Sequence, residues 1–139
     1  MSQPKRKRVL VIEDTDSVQL MLKWWLTSEG FDVDLVSNGQ EAVQHAASAP
    51  PDLILLDVMM PGLNGYAVCR LLRDSEKTRK TPIIIITALP SALDSEEGKL
   101  SGANEVIIKP LDRNHLLRRV KTYLGSVFSE QQNNQTSGQ

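Results

Sequence analysis

Apolar residues in this chain follow two patterns that alternate along its length. Unbroken apolar runs of about four residues between turn-forming residues are typical of strands buried on both faces of a parallel sheet. The predicted strands of this kind are 9–12, 52–57, 82–87 and 105–108. Residues 31–36 instead alternate apolar and polar side chains, which predicts a half-exposed strand at an edge of the sheet.

Helical spacing of apolar residues fills the segments between these strands. Asp16 with Gln19 and Asn38 with Glu41 match the capping box of a helix N-terminus. Asn64 and Asp112 are further N-cap residues. The predicted helices cover 16–29, 38–49, 64–74, 88–101 and the segment after 112. The fourth contains a proline near its start and a glycine inside it, so we expect it to be the loosest helix.

This alternation predicts the fold class. Parallel strands are joined by helical crossovers, so five strand–helix units predict an α/β, doubly wound, five-stranded parallel sheet flanked by five helices. The common order for such flavodoxin-like sheets is 2-1-3-4-5, which reverses between strands one and three. We expect ligands to bind at the carboxyl edge of the sheet beside that reversal.

Charged and hydroxyl residues end the predicted buried strands. Glu13 and Asp14 follow strand one, Asp57 ends strand three, and Thr87 and Lys109 end strands four and five. Asp57 taken alone could simply cap the next turn. Three converging carboxylates repel one another unless a cation is bound or one is protonated, and hard oxygen ligands favour Mg²⁺. A carboxylate beside a metal, a lysine and a threonine predicts a nucleophile that takes up a phosphoryl group.

Composition changes this picture little. The chain has 139 residues, a formal net charge of −1 and a single cysteine, Cys69, which its helical position places in the core. No signal peptide or membrane span is evident, so we predict a soluble, cytoplasmic protein with no direct nucleic-acid or membrane partner. We predict a basic leader over 1–7, one domain over 8–125, and a polar tail over 126–139 that is disordered or begins a linker. The basic leader could be a localisation or polyanion signal, but we favour a solvated segment.

Four motifs together resemble the response-regulator receiver domain of two-component signalling. They are VLVIED, DLILLDVMMPGLNG, IIIITA and GANEVIIKP, and the resemblance covers about residues 8–125. It implies that Asp57 accepts phosphate from a phosphohistidine of a sensor histidine kinase or histidine phosphotransfer protein. It implies that Glu13, Asp14, Asp57 and the carbonyl of Met59 bind Mg²⁺. It also implies that Thr87 and Lys109 contact the phosphoryl group, with a cis bond between Lys109 and Pro110.

Three features depart from the family pattern. Val106 occupies a position where receivers usually carry an aromatic switch residue. Met59 and Leu89, each two residues after a site residue, are often polar in relatives. The weak fourth helix is the third departure. These departures leave phosphorylation intact but question the usual output mechanism.

Two other functions share parts of this pattern. A metal-dependent phosphohydrolase would also use Asp57 as nucleophile, but it needs an acid or base two residues later, where Met59 cannot serve. A flavin carrier shares the strand order, but Glu13 and Asp14 would repel its phosphate. His45 and His115 fall on helices, and we expect them to be surface residues rather than ligands. For the receiver function, we expect the phosphorylated domain to signal by contacting a downstream protein that the sequence does not identify.

Leu20 and Trp24 point away from the predicted core face of helix one. They are four residues apart, so they contact each other on the opposite side of the helix. One interpretation is that Trp24 lies over side chains of its own domain. We favour an exposed pair that contacts a partner protein or a second copy of the chain, because tryptophan is enriched in interfaces.

Overall fold

The computed structural model describes residues 6–60, 64–90 and 95–125, with only the backbone of Glu97. Its strands are β1 (Arg8–Ile12), β2 (Asp32–Val36), β3 (Leu53–Asp57), β4 (Ile83–Thr87) and β5 (Glu105–Ile108). Its helices are α1 (Asp16–Ser28), α2 (Gly39–Ser48), α3 (Gly65–Asp74), α4 (Glu96–Leu100) and α5 (Arg113–Leu124). All paired strands are parallel and lie in the order β2-β1-β3-β4-β5, which confirms the predicted fold.

Helices cover the sheet on both faces, so the strands contribute to two apolar cores. The first core lies under α1 and α5 and the second under α2 and α3. Leu22 and Leu26 of α1 are fully buried in the first, and Cys69 of α3 is fully buried in the second, as predicted. Every residue of β3 and β4 is buried, whereas β2 is buried only at its end, as expected for an edge strand.

Three of the four predicted helix caps are confirmed. The side chains of Asn38, Asn64 and Asp112 each accept a backbone N–H from the first turn of their helix. The capping box at Asp16 is wrong. Thr15 is the N-cap of α1 and makes no capping hydrogen bond through its side chain. Gln19 is therefore one position too far along the helix for a capping box, and its amide donates to the carbonyl of Glu13.

The predicted fourth helix is confirmed in part within the described residues. The sequence favoured a helix over 88–101, but α4 covers only Glu96–Leu100. The hydroxyl of Ser95 accepts the N–H of Gly98 at 2.9 Å, in agreement with the start of α4 at Glu96. Gly98 lies inside α4, where a glycine weakens a helix. Residues 91–94 lie outside the described residues.

Parts of the predicted leader and the whole predicted tail, residues 1–5 and 126–139, lie outside the described residues. Arg6 and Lys7 of the leader are exposed, and Arg6 lies 3.8 Å from Asp32 in β2. Within the described part of the chain, no helix has the length and apolar character needed to cross a membrane.

Candidate functional site

The carboxyl ends of β1 and β3 bring three acidic residues together. Ile12 pairs with Leu56, so Glu13 follows β1 at the level of Asp57. One carboxylate oxygen from each of Glu13, Asp14 and Asp57 lies within 4.8 Å of the other two. Glu13 and Asp57 are buried, and Asp14 is half-buried. This separation lets one small cation contact all three carboxylates.

β4 and β5 place Thr87 and Lys109 beside this acidic cluster. Asp57 pairs with Ile86, so Thr87 lies one residue beyond it along the neighbouring strand. Thr87 pairs with Ile108, and the N–H of Lys109 donates to the carbonyl of Thr87 at 2.8 Å. Thr87 is fully buried, and the Lys109–Pro110 bond is cis, as the resemblance implied.

Lys109 bridges two of the three carboxylates. Its Nζ donates to Glu13 Oε2 at 3.0 Å and to Asp57 Oδ2 at 3.2 Å. Burial alone would lower the pKa of Lys109, but the hydrogen bond to Glu13 and the charge of Asp57 outweigh burial and raise it. Lys109 therefore stays protonated at neutral pH. Burial raises the pKa of Glu13, and the nearby charge of Asp57 raises it further, against the effect of the Lys109 hydrogen bond.

The loops after β3 and β4 turn in the same way. The N–H of Met59 donates to Asp57 Oδ1 at 2.9 Å, and the N–H of Leu89 donates to Thr87 Oγ1 at 3.2 Å. Both turns leave an apolar side chain exposed beside the site, 52% for Met59 and 42% for Leu89. Asp57 thus has one oxygen oriented by its own loop and the other by Lys109.

The segment after Asp57 packs tightly against the start of α3. A Cβ on Gly65 would lie 2.3 Å from the Cα of Val58, so only glycine fits there. Val58 also packs with Tyr66 and Ile85 in a small buried cluster, and Val106 of β5 lies against it. This packing fixes the backbone on which Asp57 lies.

The donor set fits Mg²⁺. All three side chains offer hard oxygen ligands, which suit Mg²⁺, and they leave room for water. Asp14 accepts no hydrogen bond from any residue that the structure describes, so its carboxylate is available to a cation without breaking an existing contact. The raised pKa of Glu13 reflects repulsion and desolvation that a bound cation would relieve.

The structure brings together the residues that the sequence placed at strand ends. Glu13, Asp14, Asp57 and Lys109 form one connected cluster, and Thr87 lies on the adjacent strand end. The hydroxyl of Thr87 accepts the N–H of Leu89 and donates to no carboxylate of the cluster among the described contacts.

The two histidines lie away from the cluster. His45 Nε2 is 3.0 Å from Asp34 Oδ2, and His115 is exposed on α5. Sequence reasoning missed Gln19, which reaches back from α1 to the backbone of Glu13. The signal in the sequence was Thr15, an alternative N-cap residue directly before Asp16. With Thr15 as the N-cap, Gln19 is one residue beyond the capping-box position.

The outer face of α1 carries the predicted apolar pair. Leu20 is 64% exposed and Trp24 is 75% exposed, so the interpretation that Trp24 lies over its own domain is wrong. A shallow surface depression beside them includes Lys23, Thr27 and Ser28. Contact with a partner at this face stays a prediction.

Comparison with known sequences places the chain beside proteins of bacterial signalling. The sequence profile described as "Response regulator receiver domain" matches residues 9–121. The chain is 40% identical over 133 residues to the response regulator PleD of Caulobacter vibrioides. This alignment covers 94% of this chain and 29% of that protein. It is 36% identical to the phosphate regulon transcriptional regulatory protein PhoB of Rhizobium meliloti, over 84% of this chain and 52% of that protein. The chain thus spans about half or less of these curated relatives.

Solved structures agree with the sequence comparison. The chemotaxis protein CheY4 of Vibrio cholerae superimposes with a TM-score of 0.81 and 29% identity, over 86% of this chain and 99% of that chain. The receiver domain of sensor histidine kinase PA1611 from Pseudomonas aeruginosa, with a magnesium ion coordinated in its active site cleft, gives a TM-score of 0.79 and 33% identity. That alignment covers 88% of this chain and all of the other, 100%.

Proposed function

Because the chain belongs to the family of response regulator receiver domains, we propose that Asp57 accepts a phosphoryl group from a phosphohistidine. The donor is a sensor histidine kinase or a histidine phosphotransfer protein. The observation that carries this proposal is the contact of Asp57 with Lys109 beside two further carboxylates. A buried carboxylate can act as a nucleophile, and a lysine ammonium beside it can stabilise the negative charge of an incoming phosphoryl group.

In the transfer step, an oxygen of Asp57 attacks phosphorus and forms an acyl phosphate. The bond between phosphorus and the donor histidine nitrogen breaks, and that nitrogen keeps the bonding electron pair. Asp57 Oδ1 and Oδ2 are held by the Met59 N–H and by Lys109, so the carboxylate is oriented before the donor arrives. Such preorganisation lowers the entropic cost of an in-line transfer.

Residues at the ends of two strands, Lys109 after β5 and Thr87 of β4, would stabilise the charge of the transferred group. The ammonium of Lys109 lies within hydrogen-bonding distance of Asp57 and is placed to move onto a phosphoryl oxygen. The hydroxyl of Thr87, at the end of β4, would donate to another. Fixed donors in a partly buried site stabilise developing charge more strongly than water does.

Glu13, Asp14, Asp57 and the carbonyl of Met59 would hold Mg²⁺. When bound, the ion supplies positive charge to the phosphoryl oxygens. Glu13 already accepts hydrogen bonds from Lys109 at 3.0 Å and from the Thr15 N–H at 3.2 Å, whereas Asp14 accepts none among the described residues. Asp14 is therefore the side chain most readily available as a direct ligand, whereas Glu13 would contribute mainly charge. The PA1611 receiver domain, with magnesium in its active site cleft, supports the proposal of a Mg²⁺ site but not the choice among its ligands.

Signalling output is proposed to depend on phosphorylation-dependent protein contacts in the cytoplasm. The relatives include DNA-binding response regulators that extend well beyond the matched region. The DNA contacts of those longer proteins are therefore not assigned to this chain. Phosphohydrolase activity is not favoured, because the exposed side chain of Met59 next to Asp57 has no acid or base.

The test is labelling with a small phosphodonor. The protein is incubated with acetyl phosphate and Mg²⁺, and its mass is measured by mass spectrometry. We expect one added phosphoryl group in the parent protein and none in Asp57→Asn. Asp52→Asn, an exposed position just before the same strand, is the matched control and should be labelled like the parent. Equal labelling of Asp57→Asn and the parent would refute the proposal.

A further inference from the structure

Gln19 connects α1 to the loop that carries the first two acidic residues. Its side-chain amide donates to the backbone carbonyl of Glu13. Its own N–H donates to the carbonyl of Thr15 at 2.9 Å, so side chain and backbone both contact the loop between β1 and α1. No other side chain that the structure describes donates to the backbone of this loop.

Hydrogen bonds hold Glu13 on every side. Its N–H donates to Val36 of β2 at 3.0 Å, and its carboxylate accepts from Thr15 and Lys109. The carbonyl is the remaining backbone group, and Gln19 is its partner. The peptide unit that joins Glu13 to Asp14 therefore owes its orientation to the amide of Gln19.

That orientation matters because the loop is under electrostatic repulsion. Carboxylates of Glu13, Asp14 and Asp57 lie within 4.8 Å of one another, and Asp14 has no hydrogen bond that fixes it among the described contacts. Lys109 offsets the charges of Glu13 and Asp57, but not that of Asp14, so the charge of Asp14 favours its movement away from Asp57. The Thr15 side chain makes no capping hydrogen bond, so it does not add to the contacts that hold this loop.

We propose that Gln19 is a positioning residue for the Mg²⁺ site, acting through the peptide unit between Glu13 and Asp14. This inference rests on the proposed function. Mg²⁺ requires nearly ideal octahedral ligand geometry, whereas Ca²⁺ accepts flexible coordination at longer distances. Loss of the Gln19 contact should therefore weaken Mg²⁺ binding more than Ca²⁺ binding.

The test compares Gln19→Met with the parent protein. Methionine keeps the length, neutrality and helix propensity of glutamine but cannot donate. Dissociation constants for Mg²⁺ and for Ca²⁺ are measured separately by isothermal titration calorimetry, and stability without metal is measured by urea unfolding. We expect Mg²⁺ to bind about 10-fold more weakly, as for other partners that orient metal ligands, and Ca²⁺ to lose several-fold less.

Two further variants complete the experiment. Gln44→Met, at an exposed position on α2 away from the site, is the matched control and should bind both ions like the parent. Gln19→Asn keeps the amide on a shorter side chain and should weaken Mg²⁺ binding as Gln19→Met does. It provides a second reading if the methionine variant does not fold. Unchanged Mg²⁺ binding in a folded Gln19 variant, or equal loss for both ions, would overturn the inference. Failure of the parent protein itself to bind Mg²⁺ would instead refute the proposed function.

Discussion

Met59 and Leu89 occupy equivalent positions in two neighbouring loops beside the site. Each donates its backbone N–H to the side chain two residues earlier, Met59 to Asp57 at 2.9 Å and Leu89 to Thr87 at 3.2 Å. Both side chains remain substantially exposed, at 52% and 42%. The backbone of these loops therefore orients the site residues, while the exposed side chains of the two loops are apolar.

This arrangement predicts slow loss of the phosphoryl group. Hydrolysis of an acyl phosphate needs a water molecule held in line with the breaking bond, and a polar side chain can hold it. Met59 offers none, so Met59→Asn should speed self-dephosphorylation. The measurement is decay of phosphorylated protein after removal of the phosphodonor. Leu71→Asn, at another exposed apolar position on α3, is the control and should leave the decay rate unchanged. A decay rate in Met59→Asn at or below that of the parent would contradict the explanation.

The acidic cluster predicts unequal effects of two substitutions on Mg²⁺ affinity. Both Glu13→Gln and Asp14→Asn remove one negative charge beside the ion and should weaken binding. Asp14→Asn should weaken it more, because Glu13 is already held by Lys109 at 3.0 Å while Asp14 is available as a direct ligand. Isothermal titration calorimetry at one pH and ionic strength checks the order. A larger loss for Glu13→Gln would mean that Glu13 is the direct ligand.

The exposed pair on α1, Leu20 and Trp24, is predicted to affect binding to a partner without affecting folding stability. Leu20→Ser combined with Trp24→Gln should leave the free energy of urea unfolding nearly unchanged, because these side chains are 64% and 75% exposed. If the pair contacts the phosphodonor protein, transfer from a phosphorylated histidine protein should slow while labelling by acetyl phosphate stays the same.

Molecular mass in solution, measured by light scattering, tests the other partner. A lower mass in the double variant would assign the pair to contact between copies of the chain. Lost folding stability with unchanged mass and unchanged transfer would show that the pair serves the fold alone.

Asp34 predicts a pH dependence of stability away from the site. Burial alone would raise its pKa, but hydrogen bonds from His45 and Arg8 outweigh burial and lower it. A carboxyl whose pKa is lowered by folding stabilises the fold above its unfolded pKa near 4, and this gain disappears as pH falls through the lower folded pKa. At neutral pH, Asp34→Asn should cost about 0.5 kcal/mol, the size expected for a partly exposed ion pair.

Urea unfolding over a pH series checks this expectation. The stability difference between the parent and Asp34→Asn should be constant above about pH 5 and shrink in acid. Asp32→Asn is the matched control on the same strand, because Asp32 is exposed and its ion pair with Arg6 spans 3.8 Å. A difference that persists unchanged into acid would contradict the assignment.

The sequence alone predicted the strands, their order and the residues at their ends. Continuous apolar runs have few ways to be buried other than a two-sided parallel sheet, and parallel crossovers bring all strand ends to one edge. For that reason Glu13, Asp57 and Lys109, which are far apart in the chain, could be placed together before any coordinates were known.

Only the tertiary structure decided the contacts that cross between elements. The capping box at Asp16 was wrong because α1 has Thr15 as its N-cap, and the amide of Gln19 donates instead to the carbonyl of Glu13. The contact at the start of α4, in which the hydroxyl of Ser95 accepts the N–H of Gly98, was also not predicted. Likewise, the bridge from Lys109 to two carboxylates depends on the stagger of neighbouring strands, which hydrophobic periodicity does not specify. Periodicity reports which face of an element is buried, whereas such contacts depend on distances between elements that only packing fixes.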